Sequence, residues 1–159
     1  MRTVFWFSLP EWIALNLAVS AYMTGVIWFV QLVHYPLLPK VGPQGFVEYE
    51  RQHTRRTGWV VAAPMLFELA ACLVLVFLAQ TTLFFRSALF AAALVAVIWV
   101  STFALQVPCH SRLEQGFEQA ICARLVRTNW VRTIAWSVRT LLLVAMMLKS
   151  INLLAGRLS

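Results

Sequence analysis

A chain of 159 residues that is 61% hydrophobic and only 12% charged, with a mean hydropathy of +0.76, lacks the makeup of a soluble globule, in which about a quarter of residues are charged. Its net charge of +7 would suggest nucleic acid in a soluble protein. Here the cations flank long apolar segments, so the expected partner is the lipid bilayer and not nucleic acid.

Crossing a hydrocarbon layer of about 30 Å takes about 20 apolar residues in a helix. Four segments qualify: Trp12 to Val33, Gly58 to Gln80, Ser87 to Val107 and Trp130 to Leu148. The expected fold is therefore all-α, an integral membrane four-helix bundle forming one domain over residues 1–159. The first span is too long for a typical leader core and contains Asn16, Tyr22 and Gln31, so it is expected to be retained. The segment between spans one and two holds Lys40, Arg51, Arg55 and Arg56, and that between spans three and four holds Arg112, Arg124 and Arg127, with Arg132 just inside the fourth span. Arg2, Arg86, Lys149 and Arg157 lie on the opposite side. The cationic excess places both long loops in the cytoplasm and both termini outside, in an inner membrane of bacterial type. Cys72, Cys109 and Cys122 have no paired spacing, and the last two are expected to be free thiols in a reducing compartment.

Within these loops, Pro36, Pro39, Gly42 and Pro43 break the first, after which Phe46 to Arg56 reads as an amphipathic interfacial stretch. Pro108 is expected to break the second, followed by a similar stretch from Leu113 to Val126. Thr81 to Arg86 is a tight turn outside.

An ungapped offset of 71 residues aligns Val26-Ile27-Trp28 with Val97-Ile98-Trp99, Gln44-Gly45-Phe46 with Gln115-Gly116-Phe117, and Arg56-Thr57 and Trp59-Val60 with Arg127-Thr128 and Trp130-Val131. That makes 10 identities in 35 positions, some of them in polar loops where hydropathy alone does not produce matches. The reading is a duplication, with one unit over about 12–80 and another over about 87–150. Two spans per unit make it a parallel repeat about an axis along the membrane normal.

Each span carries a polar seam. Asn16, Ser20, Thr24, Gln31 and His34 fall within about 80° on the first helix, and Thr57, Pro64 and Glu68 within about 40° on the second. Trp99, Thr102, Gln106 and His110 align on the third if it persists past Pro108; Asn129, Arg132, Thr133, Trp136, Arg139 and Thr140 occupy about 120° of the fourth. Lipid cannot receive these faces, so they turn inward, either to line a wet or ligand-filled interior or to cement helix contacts. Glu68 and Arg139 lie about 15 Å into the membrane and are repeat partners. Opposite charges at that depth favour an ion pair near the axis.

His34, His53 and His110 all belong to the loop side. Interfacial, solvated histidines are the favoured reading. Glu50 and His53 form a single Glu-x-x-His step, which leaves a metal or haem held by His34, His53 and His110 as the weaker one. No phosphate loop, nucleophile elbow or Cys-x-x-Cys motif is present.

The strings Val30-Gln31-Leu32-Val33-His34-Tyr35-Pro36 and Asn129-Trp130-Val131-Arg132-Thr133-Ile134-Ala135-Trp136-Ser137-Val138-Arg139 resemble motifs of a group of uncharacterised four-span bacterial inner-membrane proteins. That resemblance implies the fold and no activity. In size and layout the chain is also similar to anthrone-oxygenase-like membrane proteins, a likeness of architecture only.

Three functions compete. The first is a small enzyme or redox protein acting on a lipophilic molecule such as a quinone, polyketide or lipid, with Glu68, Arg139 and His34 as catalytic candidates. Gln31, Trp99, Gln106, His110, Asn129, Arg132 and Trp136 would bind its ligand. The second is an accessory subunit of a larger membrane complex, or a homo-oligomer. The third is a small transporter.

Overall fold

The computed structural model describes residues 7–156; Arg2, Arg157 and Ser159 lie outside them. The described chain is helical and strand-free, and four helices are long and apolar enough to cross a membrane: Leu9–Val41, Phe46–Ala79, Phe85–Leu113 and Gln119–Ala155. It is an all-α integral membrane four-helix bundle. Large apolar side chains such as Phe29, Leu66, Phe77, Val100 and Leu141 stay exposed on its outer surface, as expected of helices whose outer solvent is hydrocarbon.

The first helix, α1 (Leu9–Phe29), opens at Ser8, whose backbone N–H donates to the Glu11 carboxylate at 2.6 Å. It passes into a π-helical turn at Val30–His34, a short α2 (Tyr35–Leu37) and a 3₁₀ turn at Leu38–Val41. A link follows whose glycines, Gly42 and Gly45, take φ of +79° and +76°, a region nearly closed to other residues. The second crossing is α3 (Phe46–Ala79). The third is α4 (Phe85–Ser101), a π-helical turn at Thr102–Gln106 and α5 (Val107–Leu113); the fourth is α6 (Gln119–Ala155).

Two expectations about the loops are corrected here. Pro108 does not break the chain. A proline ring collides with the carbonyl four residues back and lacks an N–H, but the π turn just before it re-spaces those carbonyls, so the helix continues to Leu113. The turn at Val30–His34 does the same ahead of Pro36. Nor are Phe46 to Arg56 and Leu113 to Val126 separate interfacial stretches. The first belongs to α3, the second is divided by a non-helical link after Leu113, and its remainder begins α6. At 1.5 Å per residue, α3 and α6 run about 51 and 55 Å, well beyond the hydrocarbon layer. The loop end is therefore a rigid helical extension.

Around the ring, α1 packs on α3 and α6, and α4 packs on the same two, which puts α3 and α6 on one diagonal. One apolar core, at the loop end, centres on Met23, Ile27, Phe46, Leu113, Leu125 and Trp136; another, at the opposite end, centres on Ile13, Leu75, Phe84 and Leu143. Between them lies a polar layer. Arg139 donates from Nη1 to Glu68 Oε1 at 2.9 Å and from Nη2 to Asn16 Oδ1 at 2.7 Å, and Trp136 Nε1 donates to Glu68 Oε2 at 2.9 Å. Asn16 in turn donates to the Trp12 and Ala71 carbonyls. Cys72, Cys109 and Cys122 are all buried free thiols.

Candidate functional site

A cavity of about 280 Å³ opens in the loop-end half and touches all four crossings. Its deeper wall is apolar, made by Met23, Val26, Ile27, Val61, Met65 and Trp136, while Tyr35, His53, Gln106, His110 and Arg132 supply polar groups and Glu114, bonded to Thr54 at 2.6 Å, adds a carboxylate to the lining. Val107 and Ser111 on α5 are exposed lining residues, and Gly58 on α3 is among the half-buried ones. This is the usual composition of a ligand pocket, mostly apolar with a few convergent polar groups.

Those polar groups form one connected chain. Glu50, fully buried on α3, is 2.5 Å from His110 Nδ1 on α5. His110 Nε2 lies 3.0 Å from the Tyr35 hydroxyl, to which Arg132 Nη2 donates at 3.4 Å. With Glu50 ionised, Nδ1–H of His110 donates to it and Nε2 is left as an acceptor. Tyr35 then donates its phenolic proton to Nε2 while accepting from Arg132. A proton leaving Tyr35 has a path to His110, the resulting imidazolium faces Glu50, and the phenolate faces a guanidinium. Charges alternate along the chain, the arrangement that makes such a transfer least costly in a low-dielectric site.

Behind this chain a second set of bonds fixes Arg132. Asn129 Oδ1 accepts from Arg132 Nε at 2.9 Å and Nη2 at 2.5 Å, Asn129 Nδ2 donates to Gln31 Oε1 at 2.8 Å, and Gln31 Nε2 donates to the Val126 backbone carbonyl at 3.2 Å. Gln31 and Gln106 both lie on the π turns, and both are buried.

The ten candidates therefore divide. Gln106, His110, Arg132 and Trp136 line the cavity; Gln31 and Asn129 brace Arg132. His34 stacks on His53 with ring centroids 4.2 Å apart, and His53 lies 5.5 Å from His110, so the three partly exposed histidines form one contiguous column. Trp99 packs on Phe103 outside the cavity lining. Glu68 and Arg139 are also outside it, behind Trp136, with both carboxylate oxygens of Glu68 already bonded. Among the described residues, no group of three His, Cys, Asp or Glu side chains could hold a metal ion. Sequence reasoning missed Tyr35 and the role of Glu50. Their signal is faint: a tyrosine beside Pro36, and one of two acids, Glu48 and Glu50, in a basic loop.

No family model, curated protein or solved structure matches the chain.

Proposed function

We propose that the protein is a small membrane enzyme that takes a lipophilic molecule into the loop-end cavity and moves a proton to or from it through Tyr35, His110 and Glu50. The observation that carries this reading is the Glu50–His110–Tyr35 chain ending in a cavity whose deeper wall is apolar. A carboxylate orienting an imidazole that addresses a hydroxyl is a general acid–base arrangement. Tyr35 is the group that meets the ligand, His110 receives or returns its proton, and Glu50 holds the ring. Glu68 and Arg139 act as an intramembrane ion pair across the α3–α6 diagonal, a structural clamp behind Trp136.

The duplication supports the same architecture. Residues 71 apart meet at two levels of the bundle: Phe46 and Phe117 at 5.0 Å between ring centroids, and Glu68 and Arg139 at 2.9 Å. Contacts between repeat partners belong on a pseudo-twofold axis. The active chain takes Tyr35 and Glu50 from one unit and His110 from the other and has no symmetric counterpart, because the repeat partners of Glu50, Tyr35 and His110 are Ile121, Gln106 and Pro39.

Two measurements test this placement. Gly58 lines the cavity and a Cβ added there meets no atom within 4 Å, so Gly58→Phe narrows the cavity while improving helix propensity by a few tenths of a kcal/mol. Titration of the protein in nanodiscs with 2-naphthol should show saturable binding that weakens at least about tenfold in this variant; unchanged binding would place the ligand elsewhere. The charge bias further orients the cavity toward the cytoplasm of an inner membrane. In intact cells, Gln44→Cys and Gln115→Cys should resist an impermeant maleimide and Thr81→Cys should react. The reverse pattern would invert the topology.

A further inference from the structure

We infer that the ligand carries an oxyanion, a carboxylate or a phenolate, on a compact apolar skeleton, and that Arg132 is its anchor; this rests on the cavity being a ligand site. Among the described residues two guanidinium groups are buried, and they are treated differently. Arg139 contacts a carboxylate at 2.9 Å. Arg132 is 8% exposed, lines the cavity and has no carboxylate within 4.0 Å among the described residues. Its partners are the amide of Asn129 and the hydroxyls of Tyr35 and Thr102, all formally neutral. Glu50, the nearest acid along the hydrogen-bonded chain, is already taken by His110 and is separated from Arg132 by two side chains.

A buried cation without an adjacent anion is costly unless something else supplies the charge. The donor count agrees. A guanidinium has five N–H donors, and four bonds to described residues are formed, two of them long at 3.4 Å. One Nη1 hydrogen is left over, on the nitrogen that reaches toward Thr102, another residue of the cavity lining. Since the Asn129–Gln31 brace holds the opposite edge, the group cannot simply turn to another partner. The open edge is preorganised for an anion. Size limits the rest of the molecule: about 280 Å³ is just below the usual range for small-molecule sites of ~300–1,000 Å³, enough for a fused-ring or short-chain skeleton and too little for a two-chain phospholipid.

Isothermal titration of the full chain in phosphatidylcholine nanodiscs, with empty discs subtracted, tests this using 2-naphthoate, its methyl ester and 2-naphthol. Naphthoate is expected to bind roughly 10- to 100-fold tighter than the ester, the gain of one charge-assisted contact in a buried site. If phenolate is the natural group, 2-naphthol binding tightens by a similar factor as the probe ionises. Arg132→Gln should bring acid and ester within about threefold of each other. An ester that binds as well as both acids overturns the inference and leaves the cavity as a site for neutral molecules. An acid preference that survives in Arg132→Gln overturns Arg132 as the anchor. Failure of all three probes to bind overturns the ligand site itself. The wild-type comparison of acid with ester stands even if Arg132→Gln does not fold.

Discussion

Arg139→Ala should destabilise the bundle by about 3–5 kcal/mol, because it leaves the Glu68 carboxylate buried with only the Trp136 indole as a donor. Both side chains are fully buried, so water cannot replace the lost partner without opening the polar layer. Glu68→Ala should cost a similar amount by stranding the guanidinium. The informative variant is the double one. Glu68→Gln with Arg139→Met removes both charges, keeps similar volumes and leaves a side-chain amide whose oxygen can still accept from Trp136, so much of the loss should return. Reversible unfolding in detergent or bilayers measures all three. Strictly additive losses would mean that the two residues do not act as a pair.

His110→Ala should be comparably damaging for a different reason. Glu50 is fully buried, its Oε1 is bonded to His110, and its Oε2 has no partner among the described residues. Removing the imidazole thus leaves a carboxylate without a hydrogen bond on either oxygen, at an expected cost of about 3–5 kcal/mol. Adding Glu50→Gln should recover a large part by replacing the charge with an amide. Tyr35→Phe deletes only a hydroxyl and should cost about 1 kcal/mol. If His110→Ala is as mild as Tyr35→Phe in unfolding measurements, Glu50 is either neutral or solvated, and the proposed proton path lacks its terminal charge.

The crossings are legible in the sequence because hydropathy acts over 20-residue windows and needs no knowledge of partners. The inward polar faces are legible for a related reason: Asn16, Ser20 and Thr24 repeat every four residues, and lipid offers them no hydrogen bond. The fate of Pro108 was not legible. Local rules place a break at a proline, and a π turn that absorbs it is a backbone adjustment with no compositional signature. Nor was the proton chain. Glu50 and His110 are 60 residues apart and Tyr35 and His110 are 75 apart, and because these contacts fall outside the repeat offset, the internal alignment did not point to them. The cavity depends on how Met23, Val61, Met65 and Trp136 fail to fill the space between four helices, a property of packing that no single helix face encodes.

The coupling of cavity and proton chain is tested most directly by the fluorescence of 2-naphthol, which becomes a strong acid in its excited state and emits at longer wavelength once its proton has left. Bound to the wild-type protein in nanodiscs, it should emit as the naphtholate, because its hydroxyl can pass a proton to Tyr35 as Tyr35 passes its own to His110. Tyr35→Phe should bind the probe within about threefold of wild type yet shift the emission to the neutral form, since the only lost atom is the acceptor oxygen. Neutral emission from the wild-type complex, or naphtholate emission that persists in Tyr35→Phe, would contradict the account.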